Sequence, residues 1–243
     1  MGFLTGKTAI ITGAGFAALK DGSAGSIGYG IATAYAKEGA NLVITGRNMG
    51  KLEEAKTRLE SEFGIEVLVV QADVNAGADN RAVVQNVVDL AMEKFGRIDV
   101  LVNNAQASAS GVTLADHTTE QFDLAIYSGL YAAFYYMQAC YPHLKETKGS
   151  VINFASGAGL FGNFGQSAYA AAKVCPLAWT AALEGFKDRY PEAFEANVKM
   201  PPMGHYGNVE TEIGRVVVQL ASPDFKFMSG ETITLEGGMG LRP

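Results

Sequence analysis

Short, continuous apolar runs alternate along this chain with longer stretches of helical character, and that alternation limits the folds open to it. Thr8–Thr12 is followed by a helical pattern over 27–38, Asn41–Thr45 by one over 51–63, and Val67–Gln71 by one over 80–94. The pattern continues through 100–102, a long segment over 119–141, and 151–154. Strands with no polar alternation are buried on both faces, which requires helices above and below the sheet and therefore parallel strands joined by right-handed crossovers. The expectation is an α/β fold with a doubly wound parallel sheet. At 243 residues and 48% hydrophobic content the chain suits one such domain over 1–243, and no internal repeat or linker marks a second.

Charge and cysteine usage narrow the partners. A formal net charge of -6 without a basic cluster repels a phosphate backbone, so no nucleic acid partner is expected. Cys140 and Cys175 have no spacing that suggests zinc or a disulfide framework, and no other metal-ligand pattern stands out, which fits a reducing cytoplasm. No apolar run approaches membrane length, and Met1–Thr5 leads into the first strand without a basic leader, so a soluble cytoplasmic protein with no membrane partner is expected.

The first strand ends in Thr12-Gly13-Ala14-Gly15, and the next helix opens with Ser26-Ile27-Gly28-Tyr29-Gly30. A glycine-rich turn into a helix lets backbone amides meet a pyrophosphate that side chains would obstruct, which makes Gly13, Ser26, Ile27 and Gly28 candidates for cofactor binding. The intervening residues 16–24 are more than such a turn needs, and a mobile loop is the alternative reading. After the second strand, Arg47 stands where an NAD site would carry an acidic residue. A guanidinium there suits the 2′-phosphate of NADP, with Lys20 as a possible second cation. Both also read as solvated surface charges.

Ser156, Tyr169 and Lys173 are the candidate catalytic residues. Tyr169 and Lys173 stand four apart at what reads as a helix start, so their heads can converge on one face. An ammonium beside a phenol favours the phenolate and lowers the tyrosine pKa toward the range useful to a general acid/base. Ser156, after the run 151–154, can hydrogen-bond the same reacting oxygen.

With these motifs in place the chain resembles the short-chain dehydrogenase/reductase family, whose fold is Rossmann-like. The resemblance rests on TGAG, Asp73-Val74, Asn103-Asn104-Ala105, Ser156, the Tyr169-to-Lys173 run and a terminal EGGMG after a strand expected over 232–235. It implies that Asp73 and Val74 hold adenine and that Asn104 touches the nicotinamide-side ribose. It also implies that Lys173 bridges the ribose hydroxyls and that Tyr169 is the acid/base of an NADP-dependent oxidation of a secondary alcohol. Paired asparagines also serve simply to satisfy loop backbone. Segments such as NNAQASASG and INFASGAGLFGN are similar to a branch of bacterial NADP-dependent 12α-hydroxysteroid dehydrogenases acting on bile acids. For the intact form, a homo-oligomer, dimer or tetramer, is implied. Residues 176–209, with Phe186, Tyr190, Phe194, Met200, Met203 and Tyr206, read as an apolar substrate lid or as ordinary packing, and His205 as a contact for a carboxylated steroid tail or a plain polar residue. Other hydroxysteroid or carbonyl reductases, an enoyl-thioester reductase and a non-catalytic nucleotide-binding scaffold are the rival readings.

Three departures from the family pattern stand out. Gln106 replaces the glycine of NNAG, and Gly129 aligns with the family's proton-relay asparagine, leaving water or Ser128 for any relay. Beyond Lys173 the chain runs directly into Val174-Cys175-Pro176, so that a helix and a strand, about two dozen residues, are missing. Two readings remain open: a segment omitted from this sequence with the parent enzyme intact, or a genuine deletion that leaves the protein misfolded or catalytically dead.

Overall fold

The computed structural model describes residues 2–20, 22–75, 80–173, 203–205, 207–225, 228, 233 and 235. Among them lies a parallel sheet of β1 (Thr8–Thr12), β2 (Asn41–Gly46), β3 (Val67–Gln71), β4 (Val100–Asn103) and β5 (Ser150–Asn153), in the order β3-β2-β1-β4-β5. The strand order reverses at β1. Such a switch point opens a crevice at the carboxyl ends of the strands, where an α/β sheet binds its ligand.

Side chains of each strand alternate between two cores. Ala9, Ile11, Leu42, Ile44, Val100 and Val102 face one side, where they meet α1 (Ile27–Lys37), α2 (Met49–Phe63) and the segment Val209–Ala221. Ile10, Val43, Val70 and Leu101 face the other, against α3 (Asn80–Phe95) and α5 (Ala132–Thr147). Burial on both sides explains why these strands read as unbroken apolar runs. Helix α1 is buried nearly throughout, sandwiched between the sheet and the π-helical turn Val209–Gly214 with the short α8 (Arg215–Gln219). The Tyr35 hydroxyl donates to the Val217 carbonyl and fastens that layer to α1.

The long helix expected over 119–141 is three pieces: α4 (Thr119–Ala125), a π-helical turn Ile126–Tyr131, and α5. Thr118 starts it with a capping box closed by Gln121. The expected strand over 151–154 is shifted by one, to Ser150–Asn153, which leaves Phe154 free to turn its carbonyl toward the site.

Residues 16–24 form a small hairpin, with Ala18 bridged to Ala24, Leu19 N–H on the Ser23 carbonyl and Gly25 N–H on the Ala17 carbonyl. Phe16 anchors it, edge-on to Tyr29 at 5.0 Å between centroids and beneath the Arg58 guanidinium at 3.9 Å. Strand β5 is the edge of the sheet among the described residues. Its burial alternates between half-buried and exposed, with Val151 42% exposed, whereas every residue of β1 is buried. Among the described residues no strand pairs with its outer side, as at the edge of a sheet. Of the strand expected over 232–235 only residues 233 and 235 are described, and most of the segment read as a lid, with Cys175, lies outside the described residues.

Candidate active site

A cavity of about 520 Å³ opens at the switch point. Its floor is the β1–α1 connection. Gly13 has φ +70°, and a Cβ at Gly28 would stand 2.2 Å from the Gly13 carbonyl oxygen, so the helix meets the turn this closely only with glycine at both places. Ser26 is the N-cap of α1, but its side chain makes no capping bond, and the first amides of α1 face the cavity beside it. These features, with 11 residues of aligned peptide dipoles behind them, fit a pyrophosphate. Gly13, Ser26, Ile27 and Gly28 all line the wall, as the sequence led us to expect.

At the adenosine end stand Arg47, Asn48 and Lys51 from the β2–α2 connection. Asn48 caps α2 by accepting the Lys51 N–H at 3.0 Å. Lys51, one helical turn on from Arg47, lines the same cavity, whereas Lys20 is not among its lining residues. Val74 lines the cavity with Ala72 and Asn75, but Asp73 does not; its carboxylate is exposed and accepts the Asn75 N–H at 3.1 Å, closing a tight turn after β3.

Asn104 lines the cavity while its amide donates to the carbonyls of Thr12 (2.8 Å) and Gly13 (3.3 Å), and the Thr12 hydroxyl accepts its backbone N–H. This side chain pins the glycine turn to β4, the loop-satisfying role open to paired asparagines. Asn103 likewise donates to Asn153 at 2.8 Å across the sheet.

The structure brings Ser156, Tyr169 and Lys173 together. Ser156 is 1% exposed, directly after β5, and caps α6 (Gly157–Phe161) by accepting the Ala158 N–H. Tyr169 is the third residue of α7 (Ser167–Ala172), at the helix start the sequence suggested, and Lys173 is that helix's C-cap. Tyr169 and Lys173 both line the cavity, and the Lys173 ammonium donates to the Phe154 carbonyl.

Burial dominates the electrostatics. It pushes the Tyr169 phenol above its ordinary value, opposed by a hydrogen bond with Ser156, and it pulls the Lys173 ammonium down to about 8. The expectation that Lys173 lowers the Tyr169 pKa is not met in this state, since the ammonium is turned to the Phe154 carbonyl and desolvation governs both groups.

Two further expectations are corrected. Ser128 is 1% exposed and spent: its hydroxyl accepts the Ala107 N–H and lies within bonding distance of the Leu124 and Ala107 carbonyls, so it has no proton to relay. His205 lies 3.0 Å from Glu212, whose carboxyl the histidine holds below its usual range, and this pairing accounts for it without a steroid tail.

A parallel doubly wound sheet with a Ser-Tyr-Lys group beside a dinucleotide-sized cavity is the architecture of a family of oxidoreductases. The chain belongs to it: the profile of the short chain dehydrogenase family matches residues 7–190. It is 58% identical to a 12α-hydroxysteroid dehydrogenase of Clostridium sp., over all of both chains. It is 30% identical to a 3-oxoacyl-acyl-carrier-protein reductase of Thermotoga maritima, over 97% of this chain and 98% of that one. Its fold is similar to that of the L-sorbose reductase of Gluconobacter frateurii, solved with NADPH and L-sorbose, at a TM-score of 0.81, 22% identity and full coverage of both chains. The alignment with the Clostridium enzyme runs over 266 positions yet takes in all 243 residues here, so at least 23 positions face no residue of this chain. That number is close to the two dozen residues expected to be missing.

Proposed function

We propose that this oxidoreductase catalyses the reversible, NADP(H)-dependent oxidation of a secondary alcohol to a ketone, the alcohol being the 12α-hydroxyl of a bile acid. The observation that carries the substrate reading is the 58% identity, over both whole chains, to an enzyme of that activity. The cavity supports the cofactor reading: amides of the α1 N-terminus for a pyrophosphate, and Arg47 with Lys51 for a 2′-phosphate.

When bound, the nicotinamide accepts or supplies the hydride. The chain's own residues handle the proton and the oxygen. In oxidation the Tyr169 phenolate takes the hydroxyl proton, and in reduction the phenol returns one to the developing alkoxide. Ser156 supports the charge on that oxygen from a fixed, buried position. Lys173 and Val74, both in the cavity wall, would help hold the cofactor, and a hydrogen-bonding partner for the ammonium would favour its charged form and so the phenolate of Tyr169. Asp73 would act by shaping the turn that presents Val74.

The protein works in the reducing cytoplasm, and the intact form assembles as a dimer or tetramer. Leu130, Phe134 and Tyr141, exposed on the π-turn and α5, support self-association. A panel of 3α-, 7α- and 12α-hydroxylated bile acids with NADP⁺ tests the assignment. Turnover at the 12-position is expected, and activity confined to the 3- or 7-position would sink the substrate reading while leaving the family untouched. The open flank at β5 favours one second reading, a scaffold that binds NADPH without turnover, which the same assay separates when combined with a binding measurement.

A further inference from the structure

The insertion 16–24 stands in the wall of the cavity, where nothing so far gives it a task. Its stem carries Ala17 and Gly25, which line the same cavity as Ser26 and Ile27 at the start of α1 and Arg47, Asn48 and Lys51 at the start of α2. The hairpin holds its own shape. Besides the backbone bonds of the stem, the Leu19 side chain packs on Gly25, where a Cβ would stand 2.6 Å from Leu19 Cδ2.

Two fastenings tie this hairpin to α2. The Phe16 N–H donates to the Lys51 carbonyl at 2.9 Å, and the chain runs so close there that a Cβ on Gly15 would lie 3.1 Å from Lys51 Cβ. Two turns further along α2, the Arg58 guanidinium lies 3.9 Å from the centre of the Phe16 ring. Phe16 is 5% exposed and has Tyr29 of α1 edge-on to it at 5.0 Å, so hairpin, α1 and α2 meet at this one ring. Arg58 also pairs with Glu54 at 2.9 Å, but both side chains are half exposed and an i,i+4 pair of that kind contributes little. The ring contact is the one that reaches the hairpin.

We propose that Arg58 is a positioning residue for the bound dinucleotide: by clasping Phe16 it keeps the hairpin seated as a wall of the cavity, and so sets how long the cofactor stays. The cofactor leaves when that wall loosens from α2. The loosened state is the minor one, so weakening the clasp raises its population and the rate of escape by the same factor. The stem adjoins the α1 start that suits a pyrophosphate, a group NADPH and NADH share, so both should escape faster to the same extent. That separates Arg58 from Arg47 and Lys51, whose removal should act on NADPH selectively. The inference rests on the reading of the cavity as a dinucleotide site.

The test is stopped-flow displacement of NADPH and of NADH, combined with hydrogen exchange over residues 16–25. Arg58→Ala should stay folded by thermal melt and raise both off-rates by about 3- to 10-fold, the worth of a cation over an aromatic face. It should also speed exchange of the Leu19 and Gly25 amides, which the stem bonds protect. Phe16→Leu keeps apolar bulk without a ring and should do the same, and the double variant should be no worse than Phe16→Leu alone. Glu54→Ala removes the ion pair and spares the ring contact, so its off-rates should stay within about twofold of the wild type. Unchanged off-rates in Arg58→Ala would overturn the proposal. So would an effect confined to NADPH, which would make Arg58 a charge acting on the phosphate, or an equal effect in Glu54→Ala, which would assign it to α2 as a helix. A wild type that binds neither NADPH nor NADH refutes the dinucleotide reading and the inference with it, whereas binding with unaltered off-rates in the variant refutes the inference alone.

Discussion

At the scale of single residues, binding and chemistry are separable in this site. Arg47 and Lys51 stand at the adenosine end of the cavity, away from Tyr169, so Arg47→Asp should turn the preference from NADPH toward NADH. Lys51→Ala should weaken NADPH while leaving NADH nearly unaffected. Equal affinities of the wild type for the two cofactors, measured by fluorescence titration, would contradict both. Tyr169→Phe should keep NADPH affinity and lose about 100- to 10,000-fold in turnover. Lys173 carries a different signature. Its ammonium is buried and pulled from 10.5 down to about 8, a native-state penalty on the order of 3 kcal/mol that is present in full below pH 8. Lys173→Met removes that penalty and leaves the Phe154 carbonyl without its donor, for a net gain of about 1–2 kcal/mol at pH 7. The sign follows from linkage: between about 8 and 10.5 the unfolded chain binds the extra proton, so the wild type gains stability as pH rises and the advantage of the variant fades. Denaturant unfolding of both proteins at pH 7 and pH 10 checks this, and the variant should have lost NADPH affinity and turnover throughout.

At the scale of elements, what the sequence disclosed depended on how far each signal reached. Strands β1 to β4 were legible because burial on both faces leaves an unbroken apolar run, and their bounds agree with the expectation to within a residue. The π-turn at Ile126–Tyr131 was not, since one widened turn leaves the helical period of its neighbours almost unchanged. The triad's residues were readable from their spacing, but not the state of Tyr169, which burial sets and spacing does not record. Nor was the Arg58–Phe16 contact, which joins two elements that no local pattern pairs. Lys51 reads in the sequence as one more charged residue at a helix start, and only the fold sets it in the cavity wall with Arg47. The capping box offers a check at this scale. Thr118→Ala removes an acceptor for the Gln121 N–H and should cost about 1 kcal/mol, and since α4 packs directly on α7 through Ala125, Ala168 and Ala172, turnover should fall along with the thermal midpoint.

For the whole molecule, the decisive feature is the flank beyond β5. A core lies on either side of β1 and the described residues that line the cavity gather at the switch point beside it, so cofactor binding should survive without further strand pairing at β5. The triad is in a weaker position. Ser156 follows β5, whose residues alternate between half-buried and exposed, and Lys173 is the C-cap of the six-residue α7. Inserting after Lys173 a helix and a strand of the length the family pattern implies should raise the thermal midpoint and turnover while changing NADPH affinity little. An insertion that left both stability and turnover unchanged would mean that β5 needs no such neighbour.

The account stands most directly on one measurement: NADPH formation, followed by its near-ultraviolet absorbance, when the purified chain is given NADP⁺ and a bile acid bearing a 12α-hydroxyl, with the product identified by mass spectrometry and NMR. It predicts a 12-ketone formed together with NADPH, and loss of that product in Tyr169→Phe with NADPH binding intact. Tight NADPH binding with no ketone at any position, in the wild type and in the form with the segment inserted, would contradict it.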